Sequence, residues 1–418
     1  MPKPYNITAL DIGSGSVKLV SVLKRRGDSD FEILGYLEEP SLGIRRGVVI
    51  NASQVSDTIS SLVRKLEDKS KKKIGGIYAN IGGGHINSVC SRGLVSVSRA
   101  DQKISREDIY RVIQAAQTFP LPSNKEIIEV FPKDFIVDGG NSIKEAVGMQ
   151  GVRLEADVLA ICGFSPYLNN LKKSILTSGL EINCLIPTPL ASSKAVLTPR
   201  EKELGVCVLD IGSGTSSMSV FEEGSLIHTA VFPVGSGHIT NDIAVCLKTD
   251  IDTAEKIKIE FGALRESGAS EKRNRKNEKK IKIEGEDNVS FSKKTLNDII
   301  EARVSEIFDL TNKELKKISK QGQLPAGVVL TGGGAKILGI RDFAKKELKL
   351  PIRIGTPVFL SEEKGRHQVF GLSDDPGHST LYGLLIEAIE MEEDDIRDSG
   401  GGGGFWHKAK SLLRVFIP

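Results

Sequence analysis

Cysteine is scarce in this chain, with 5 in 418 residues. No two of them form a CxxC pair, so their spacing gives no support to a zinc site or a disulfide framework. Most lie in apolar runs, and we therefore predict small core residues in a reducing compartment. The five are Cys90, Cys162, Cys184, Cys207 and Cys246.

The chain also lacks an excess of charge of either sign. Lys and Arg total 57 and Asp and Glu total 54, which gives a net charge of +3. This balance excludes a general nucleic-acid binder, so no nucleic-acid partner is predicted. No segment approaches the ~20 apolar residues that span a bilayer, and the first residues contain no apolar signal core. We therefore predict a cytosolic protein, unless another segment tethers it to a membrane.

The six residues LDIGSG occur twice, from Leu10 to Gly15 and from Leu209 to Gly214. Each copy follows an apolar, β-rich run, which predicts a strand that ends in an aspartate and turns on glycines. Because glycine has no Cβ, successive backbone N–H groups of such a turn can converge on a phosphate. A single copy could equally be an ordinary glycine hairpin. The recurrence favours a duplicated fold in which two turns face one ligand.

Charged and hydroxyl residues surround the first turn. Ser14, Ser16 and Lys18 alternate along an extended arm and can face the same phosphate. Lys18 would supply a positive charge, although a solvated strand lysine is the alternative. Asp11 and its repeat Asp210 would repel a polyphosphate, so we predict that they hold a hydrated Mg²⁺, which prefers oxygen ligands.

A third glycine segment, VVLTGGGAKILGI, spans residues 328–340. It predicts a buried strand to Thr331, a turn, and a helix that begins near Ala335. A flat base could lie against the bare main chain of Gly332, Gly333 and Gly334, with the stem of Lys336 over it. Another triple glycine, at 82–84, is interpreted as a hinge into an inserted subdomain. His85 after it is then a loop residue.

Two helices contain small residues at helical spacing. Residues 187–197 carry Ala191, Ser192 and Ala195, and residues 379–389 carry Gly383. Small residues let two backbones approach closely, so we predict that these helices cross between the lobes. A further helix, residues 253–261, carries Glu255 and Lys258 on one face. The pair is either a surface salt bridge or a contact to ribose and adenine.

The C-terminal residues follow an acidic segment and a glycine tether at 400–404. On a helix, their apolar side chains share one side and basic residues cover the remainder, which is typical of a helix lying in a membrane interface. The alternative is a peptide that docks into a partner's groove or onto its own body. The predicted membrane residues are Phe405, Trp406, Lys408, Lys410, Leu412, Leu413, Arg414, Phe416 and Ile417.

Two phosphate turns, a nucleoside turn and two crossing helices together resemble the superfamily of actin, heat-shock chaperones and sugar kinases. Within it the chain resembles the FtsA family of bacterial division proteins over almost its full length, most specifically in FPVGSGHITNDIAVCLKTDIDTAEKIKIEFG and VVLTGGGAKILGI. The resemblance implies an α/β, duplicated actin-like (ribonuclease H-like) fold of two lobes around a nucleotide cleft. The expected divisions are a first lobe at 1–83 and 161–198, an inserted subdomain at 84–160, a second lobe at 199–239 and 323–390, a second inserted subdomain at 240–322, a linker at 391–404 and a membrane-targeting amphipathic helix at 405–418.

The resemblance also implies ATP and Mg²⁺ as cofactors. The triphosphate is expected at the two turns and the nucleoside at the third glycine segment and the helix before it. The chain departs from the family at Ser217, where many relatives have an aspartate, so nucleotide binding is a firmer expectation than turnover, at most a weak ATPase. The implied contacts are Gly13, Ser14, Gly15, Ser16, Lys18, Gly212, Ser213, Gly214, Thr215, Glu255, Lys258, Gly262, Gly332, Gly333, Gly334, Ala335 and Lys336.

By resemblance the chain is a filament-forming adaptor that ties the FtsZ division ring to the cytoplasmic face of the inner membrane at the division site. The expected partners are the FtsZ C-terminal tail, further copies of the chain, anionic lipids and other division proteins. Arg303 and Lys294 are the expected tail contacts, with plain helix surface as the alternative. Two other functions stay open: a small-molecule kinase with Asp138 as base, and an actin-like pilus assembly protein.

Overall fold

A computed structural model describes residues 4–25, 31–264, 280–283, 289–357, 359–361, 365–367 and 375–398. The predicted membrane helix and its glycine tether lie outside the described residues, as does most of the charged run at 265–286. None of the helices in the described ranges is long and apolar enough to cross a membrane.

The strands and helices alternate along the described chain. The strands are β1 Tyr5–Ile12, β2 Ser16–Lys24, β3 Phe31–Pro40, β4 Ile44–Arg45, β5 Val48–Val49, β6 Gly76–Ile81, β7 Asn87–Ser96, β8 Lys125–Val137, β9 Ser142–Ile143, β10 Arg153–Phe164, β11 Glu181–Pro187, β12 Val206–Ile211, β13 Ser216–Glu222, β14 Ser225–Phe232, β15 Lys280–Ile283, β16 Val289–Ser292, β17 Val328–Thr331, β18 Ile352–Ile354, β19 Phe359–Ser361 and β20 Gly365–His367. The helices are α1 Ala52–Ser70, α2 Arg106–Ala116, α3 Ser165–Thr177, α4 Thr188–Val196, α5 Pro199–Leu204, α6 Ser236–Leu247, α7 Ile251–Phe261, α8 Lys293–Lys317, α9 Ile340–Leu348 and α10 Ser379–Asp398, with 3₁₀ turns at Gly333–Lys336 and Pro376–His378.

Two sheets repeat one arrangement. In the first, with order β11-β6-β1-β2-β3, an antiparallel meander β1-β2-β3 is extended by β6 parallel to β1. In the second, the meander β12-β13-β14 is extended by β17 parallel to β12. Helices cover these sheets, so β1 and β12 are almost continuously buried. The predicted duplicated two-lobe fold is confirmed.

Apolar side chains form three cores. The first belongs mainly to the β1 sheet and its helices, and the second lies between the β12 sheet and helices α6 to α9. A third, smaller core is formed by α2 with β7, β8 and β10. Helix α2 begins with a capping box, in which the side chain of Ser105 accepts from the backbone amide of Asp108 and the side chain of Asp108 accepts from that of Ser105.

Helices α4 and α10 pack against each other between the lobes, as the small residues predicted. A Cβ added to Gly383 would lie 1.7 Å from the carbonyl oxygen of Ala191, so the two backbones are in direct contact. Any side chain at Gly383 would force them apart. These two helices therefore join the lobes at one crossing.

Two local predictions were wrong. No α-helix begins near Ala335: Gly333–Lys336 is a 3₁₀ turn and α9 starts only at Ile340, because Gly332 and Gly339 take φ values of 81° and 82° that interrupt a helix. Two cysteines are not core residues. Cys90 and Cys246 are exposed, because strand alternation and helical position turn them outward.

Candidate functional site

The two LDIGSG segments form the same backbone turn. In the first, the amide of Gly13 donates to the carbonyl of Ser16 at 3.1 Å, and in the second the amide of Gly212 donates to the carbonyl of Thr215 at 2.9 Å. Both turns join the first two strands of their meanders. Equal sequence thus gives equal local structure in the two lobes.

The two turns face and touch each other. A Cβ added to Gly15 would lie 2.9 Å from the Cβ of Ser213, and one added to Gly214 would lie 2.6 Å from the Oγ of Ser14. Each glycine therefore makes room for the serine of the opposite turn. Ser14 and Ser213 meet in one cleft, as the duplicated sequence predicted.

A cavity of about 320 Å³ lies at this meeting point. This volume falls in the range of small-molecule sites, roughly 300 to 1,000 Å³. All of the predicted phosphate and metal residues line it, together with part of the third glycine segment. They are Asp11, Gly13, Ser14, Gly15, Ser16, Lys18, Asp210, Gly212, Ser213, Gly214, Thr215, Gly332, Gly333 and Lys336.

Five of the predicted nucleoside residues lie outside this lining. Gly334 and Ala335 are buried, and a Cβ on Gly334 would meet Ile211 at 2.3 Å. Glu255, Lys258 and Gly262 lie on or directly after α7. Of these three, Lys258 reaches the lining through α6, because its Nζ contacts the carbonyl of Ser236, a lining residue, at 3.5 Å.

The Glu255–Lys258 pair is a genuine ion pair. Lys258 Nζ lies 2.6 Å from Glu255 Oε2 and donates to Thr240 Oγ1 at 2.9 Å. About 11% of the lysine side chain and 43% of the glutamate side chain are exposed, so the pair is half-buried at the edge of the surface. The pair holds α7 against α6 beside the cleft.

Several lining residues were missed by the sequence analysis. The parallel pairing of β6 with β1 brings Asn80 beside Asp11, and a rule that ligands gather at the carboxyl ends of parallel strands could have found it. Thr188 and Thr380 stand at the starts of the crossing helices. Ser217, noted above as the place of the relatives' aspartate, also lines the cavity. No sequence pattern indicated the remaining lining residues, which are Ile12, Glu38, Gly47, Gly82, Ser236 and residues 375–378.

Asp11 is held on both sides of its carboxylate. Asn80 Nδ2 donates to Oδ1 at 2.8 Å, and Lys18 Nζ lies 3.7 Å from Oδ2. Asn80 Oδ1 in turn accepts from the amide of Ile12 at 2.7 Å, which fixes the amide side chain. Burial raises the pKa of Asp11, and the charge of Lys18 acts in the opposite direction.

Asp210 has a different set of partners. Its Oδ2 accepts from Thr380 Oγ1 at 3.0 Å, and its strand partner is Ser217 rather than a lysine. Burial raises the pKa of Asp210 to about 6, with a further contribution from the charge of Asp11 and an opposing one from the Thr380 hydroxyl. Two buried carboxylates thus face one cavity, and Lys18 pairs with Asp11 rather than with Asp210.

This donor set fits a hydrated magnesium ion. A dication would favour the charged forms of Asp11 and Asp210, which burial disfavours. Across the described ranges no three His, Cys, Asp or Glu side chains converge to hold a metal directly. Mg²⁺ usually keeps several waters and uses one or two carboxylates plus substrate phosphates, so Asp11 and Asp210 would suffice as protein anchors if the ion were bound.

A short turn at residues 375–378 closes one side of the cavity and contacts both lobes. Lys18 Nζ donates to the carbonyl of Gly377 at 3.1 Å, and Tyr36 Oη lies 3.1 Å from His378 Nε2. On the other side, Lys336 Nζ donates to Asp375 at 2.8 Å. The two lysines beside the cavity are therefore oriented by the same turn.

Comparison with known proteins identifies the family. The model "Cell division protein FtsA" matches residues 207–383, and the model "SHS2 domain inserted in FTSA" matches residues 83–162. The cell division protein FtsA of Neisseria meningitidis serogroup B is 37% identical over 423 residues, covering 97% of each chain. That of Pseudomonas aeruginosa is 33% identical over 407 residues, covering 96% of this chain and 93% of the relative. The chain belongs to the FtsA family of cell division proteins.

Solved structures with the same architecture confirm the actin-like fold of this FtsA-family chain. The PilM-PilN type IV pilus biogenesis complex aligns with a TM-score of 0.61 and 15% identity, covering 92% of this chain and 98% of the other. MreB5 of Spiroplasma citri bound to ADP aligns with a TM-score of 0.56 and 13% identity, covering 94% and 98%. At these identities the likeness concerns the fold.

The predicted contacts for the FtsZ tail do not form one surface. Arg303 makes a bidentate pair with Asp242 at 2.8 and 2.9 Å and also pairs with Glu306. Lys294 is exposed on the same helix. At about 100° per residue, the two side chains lie on opposite faces of α8. A partner that bound Arg303 would have to compete with Asp242.

Asp138, the candidate base of the kinase alternative, lies away from the cavity. It adopts a φ of 51° in a turn, where its carboxylate accepts from the amides of Val152 and Arg153. It is not one of the lining residues. The residue that the kinase alternative required in the cleft is therefore not there.

Proposed function

We propose that the chain is an ATP-binding, filament-forming adaptor that tethers the FtsZ ring to the cytoplasmic face of the inner membrane and helps to recruit other division proteins. One observation carries the nucleotide part: two identical glycine turns from the two lobes meet at one cavity, with Asp11, Asp210 and Lys18 in its lining. Membership of the FtsA family supports the role in division.

The phosphates would lie between the two turns, where amides of both lobes and Lys18 can donate. Mg²⁺, held through water by Asp11 and Asp210, would neutralise phosphate charge. Solved structures of similar fold bind ADP and AMPPNP, which supports this assignment. The base would extend past Gly333 and Lys336 toward the Glu255–Lys258 pair.

Turnover is expected to be weak. Ser217 lies opposite Asp210 in the β12–β13 ladder, the place that Lys18 has opposite Asp11. It is buried and lines the cavity, but a serine hydroxyl does not take a proton from water at neutral pH. A bound ATP would therefore be hydrolysed slowly, which is consistent with a protein in which ATP stabilises one conformation.

The residues from Phe405 to Ile417 would supply the membrane contact. Lys408, Lys410 and Arg414 near an anionic leaflet contribute roughly 3 kcal/mol in total, and the apolar side chains add a few more. A single chain then binds reversibly. In a head-to-tail filament many such segments act together, and avidity raises retention by about two to four orders of magnitude. Such contacts repeat without closing, which is how filaments form.

The test is sedimentation of the full chain with vesicles containing anionic lipids, with and without ATP and Mg²⁺, and with added FtsZ. We expect ATP to increase the pelleted fraction and the pelleted chain to carry FtsZ with it. Deletion of residues 405–418 should abolish pelleting while leaving ATP binding intact. Pelleting that is the same without ATP, or after the deletion, would contradict the proposal. FtsZ that stays in the supernatant would contradict the adaptor role.

A further inference from the structure

The insertion, residues 83–162, contacts the second lobe through the edge strand of that lobe's meander. Strand β7 of the insertion pairs with β14, with Asn87 opposite Ala230. Beside this pair, Ser88 Oγ donates to the carbonyl of Thr229 at 3.0 Å and accepts from its amide at 3.4 Å. One hydroxyl thus satisfies both backbone groups of a fully buried residue. The nine-stranded sheet is continuous across this junction.

A second contact lies at the opposite end of β14. Lys144 Nζ of the insertion lies 3.2 Å from Ser225 Oγ and 3.5 Å from Glu223, next to the β13–β14 hairpin turn. Asp134, also in the insertion, holds the same lysine at 3.0 Å. The insertion therefore contacts β14 through Ser88 near the end of the strand and through Lys144 at its beginning.

The insertion also packs against the first lobe. Alternate residues of β10 face opposite sides: Val158 and Ala160 belong to the insertion's own core, and Leu159 and Ile161 to the large core of the first lobe. An ion pair between Glu126 of β8 and Lys172 of α3 lies at 3.2 Å on the same junction. The insertion therefore connects both lobes at a place separate from the α4–α10 crossing.

The chain enters the insertion directly from the cavity. Gly82 lines the cavity, and Gly83 takes a φ of +104°, which favours glycine. A Cβ on Gly84 would lie 3.4 Å from Pro233, which directly precedes the loop into α6 of the second lobe. A ligand that moves either lobe would therefore also move residues 82–84, where the insertion begins.

We infer that the insertion is a strut between the lobes, so that ATP in the cavity and the Ser88 and Lys144 contacts stabilise each other. The coupling rests on the proposed nucleotide function, whereas the strut does not. Because the strut holds the two turns together before ligand arrives, its loss removes preorganisation and weakens binding. Linkage requires that ATP strengthen the strut by the same factor.

The test combines amide hydrogen exchange with ATP titration, using the full chain. The variant is Ser88→Ala with Lys144→Ala. The matched control is Lys172→Ala, which removes an ion pair of similar exposure between the insertion and the first lobe. Without ligand, we expect exchange in residues 223–232 to be about fivefold faster in the double variant and unchanged in the control. With ATP and Mg²⁺, we expect slower exchange there in the wild type, and about fivefold weaker ATP affinity in the double variant.

Unchanged exchange at 223–232 in the double variant would overturn the strut. Unchanged ATP affinity, with ATP bound by the wild type, would overturn the coupling. Failure of the wild type to bind ATP is a different result: it removes the proposed nucleotide function and the coupling with it, and the ligand-free exchange still decides the strut.

Discussion

The two glycine turns have one sequence and one backbone, yet different chemical surroundings. Opposite Asp11 in its strand ladder stands Lys18, whereas opposite Asp210 stands Ser217. Asp11 accepts from the amide side chain of Asn80, and Asp210 accepts from the hydroxyl of Thr380. The first turn thus has a positive charge beside its carboxylate and the second does not. The repeated hexapeptide gives the same backbone turn in both lobes, and the strand after each turn places a different side chain opposite the aspartate.

The largest effect is expected from a side chain that fills the space between the two turns. Gly214→Ala would place a Cβ 2.6 Å from Ser14 Oγ and 2.7 Å from its Cβ. We expect unfolding free energy to fall by about 2–3 kcal/mol and ATP binding to be lost, as measured by denaturant melts and calorimetry. Gly75→Ala is the control, because nothing lies within 4 Å of its added Cβ. Equal behaviour of the two variants would show that the turns do not touch.

The next largest effect on ATP affinity should distinguish Lys18, which stands opposite Asp11, from Ser217, which stands opposite Asp210. Lys18→Ala removes a charged donor beside Asp11, and we expect ATP affinity to fall about 30-fold, since a hydrogen bond from a charged group is worth about 2 kcal/mol. Ser217→Ala should change it by less than about threefold. Titration of both variants with ATP and Mg²⁺ checks this. Comparable losses in both would mean that the lysine does not distinguish the turns.

A smaller effect is expected on the rate of ATP hydrolysis when a carboxylate is introduced beside the second turn. Ser217→Asp restores the carboxylate that many relatives carry, opposite Asp210 and in the cavity lining. We expect phosphate release from ATP to rise about tenfold, within the usual range for one positioned acid or base. The control is Ser217→Asn, which has nearly the shape of the aspartate side chain without its charge. Equal rates in both variants would argue against a carboxylate requirement.

The smallest effect concerns two partly buried histidines, His85 and His238, that lie outside the cavity lining. Nδ1 of His85 accepts from the amide of Phe164, and Nδ1 of His238 accepts from that of Gly235. Burial lowers the pKa of both, and that of His85 falls from 6.5 to about 4. The unfolded chain therefore takes up a proton at His85 between these pH values while the folded chain does not, so stability is present above pH 6.5 and is lost toward pH 4.

We expect His85→Gln to remove about 1 kcal/mol of this acid sensitivity, less than the full shift because part of the ring reaches solvent. His238→Gln, its counterpart, should remove less. Thermal melts between pH 4 and 7.5 compare the slopes. If the slope of Tm against pH is the same in His85→Gln as in the wild type, the imidazole of His85 is not the source of the acid sensitivity.

Much of this site could be predicted because its signals are local. A repeated hexapeptide specifies two turns, and small residues such as Ala191 and Gly383 indicate a close crossing. Asn80 and the turn at 375–378 could not be found in this way, because their place in the site depends on strand pairing and on packing between distant segments. Local pattern also misplaced the helix after Gly334, where glycines on both sides favoured a 3₁₀ turn. The membrane residues stay a prediction, since they lie outside the described residues.

The most direct test of the two-turn clamp uses a matched pair of glycines. A Cβ at Gly13 would lie 2.9 Å from the carbonyl of Ser16, and one at Gly212 would lie 3.0 Å from that of Thr215. Gly13→Ala and Gly212→Ala therefore distort the two turns equally. In calorimetric titrations at one site per chain, the account predicts that each variant lowers ATP affinity about tenfold or more and leaves AMP affinity nearly unchanged. Loss of ATP affinity in only one of the two variants would contradict it.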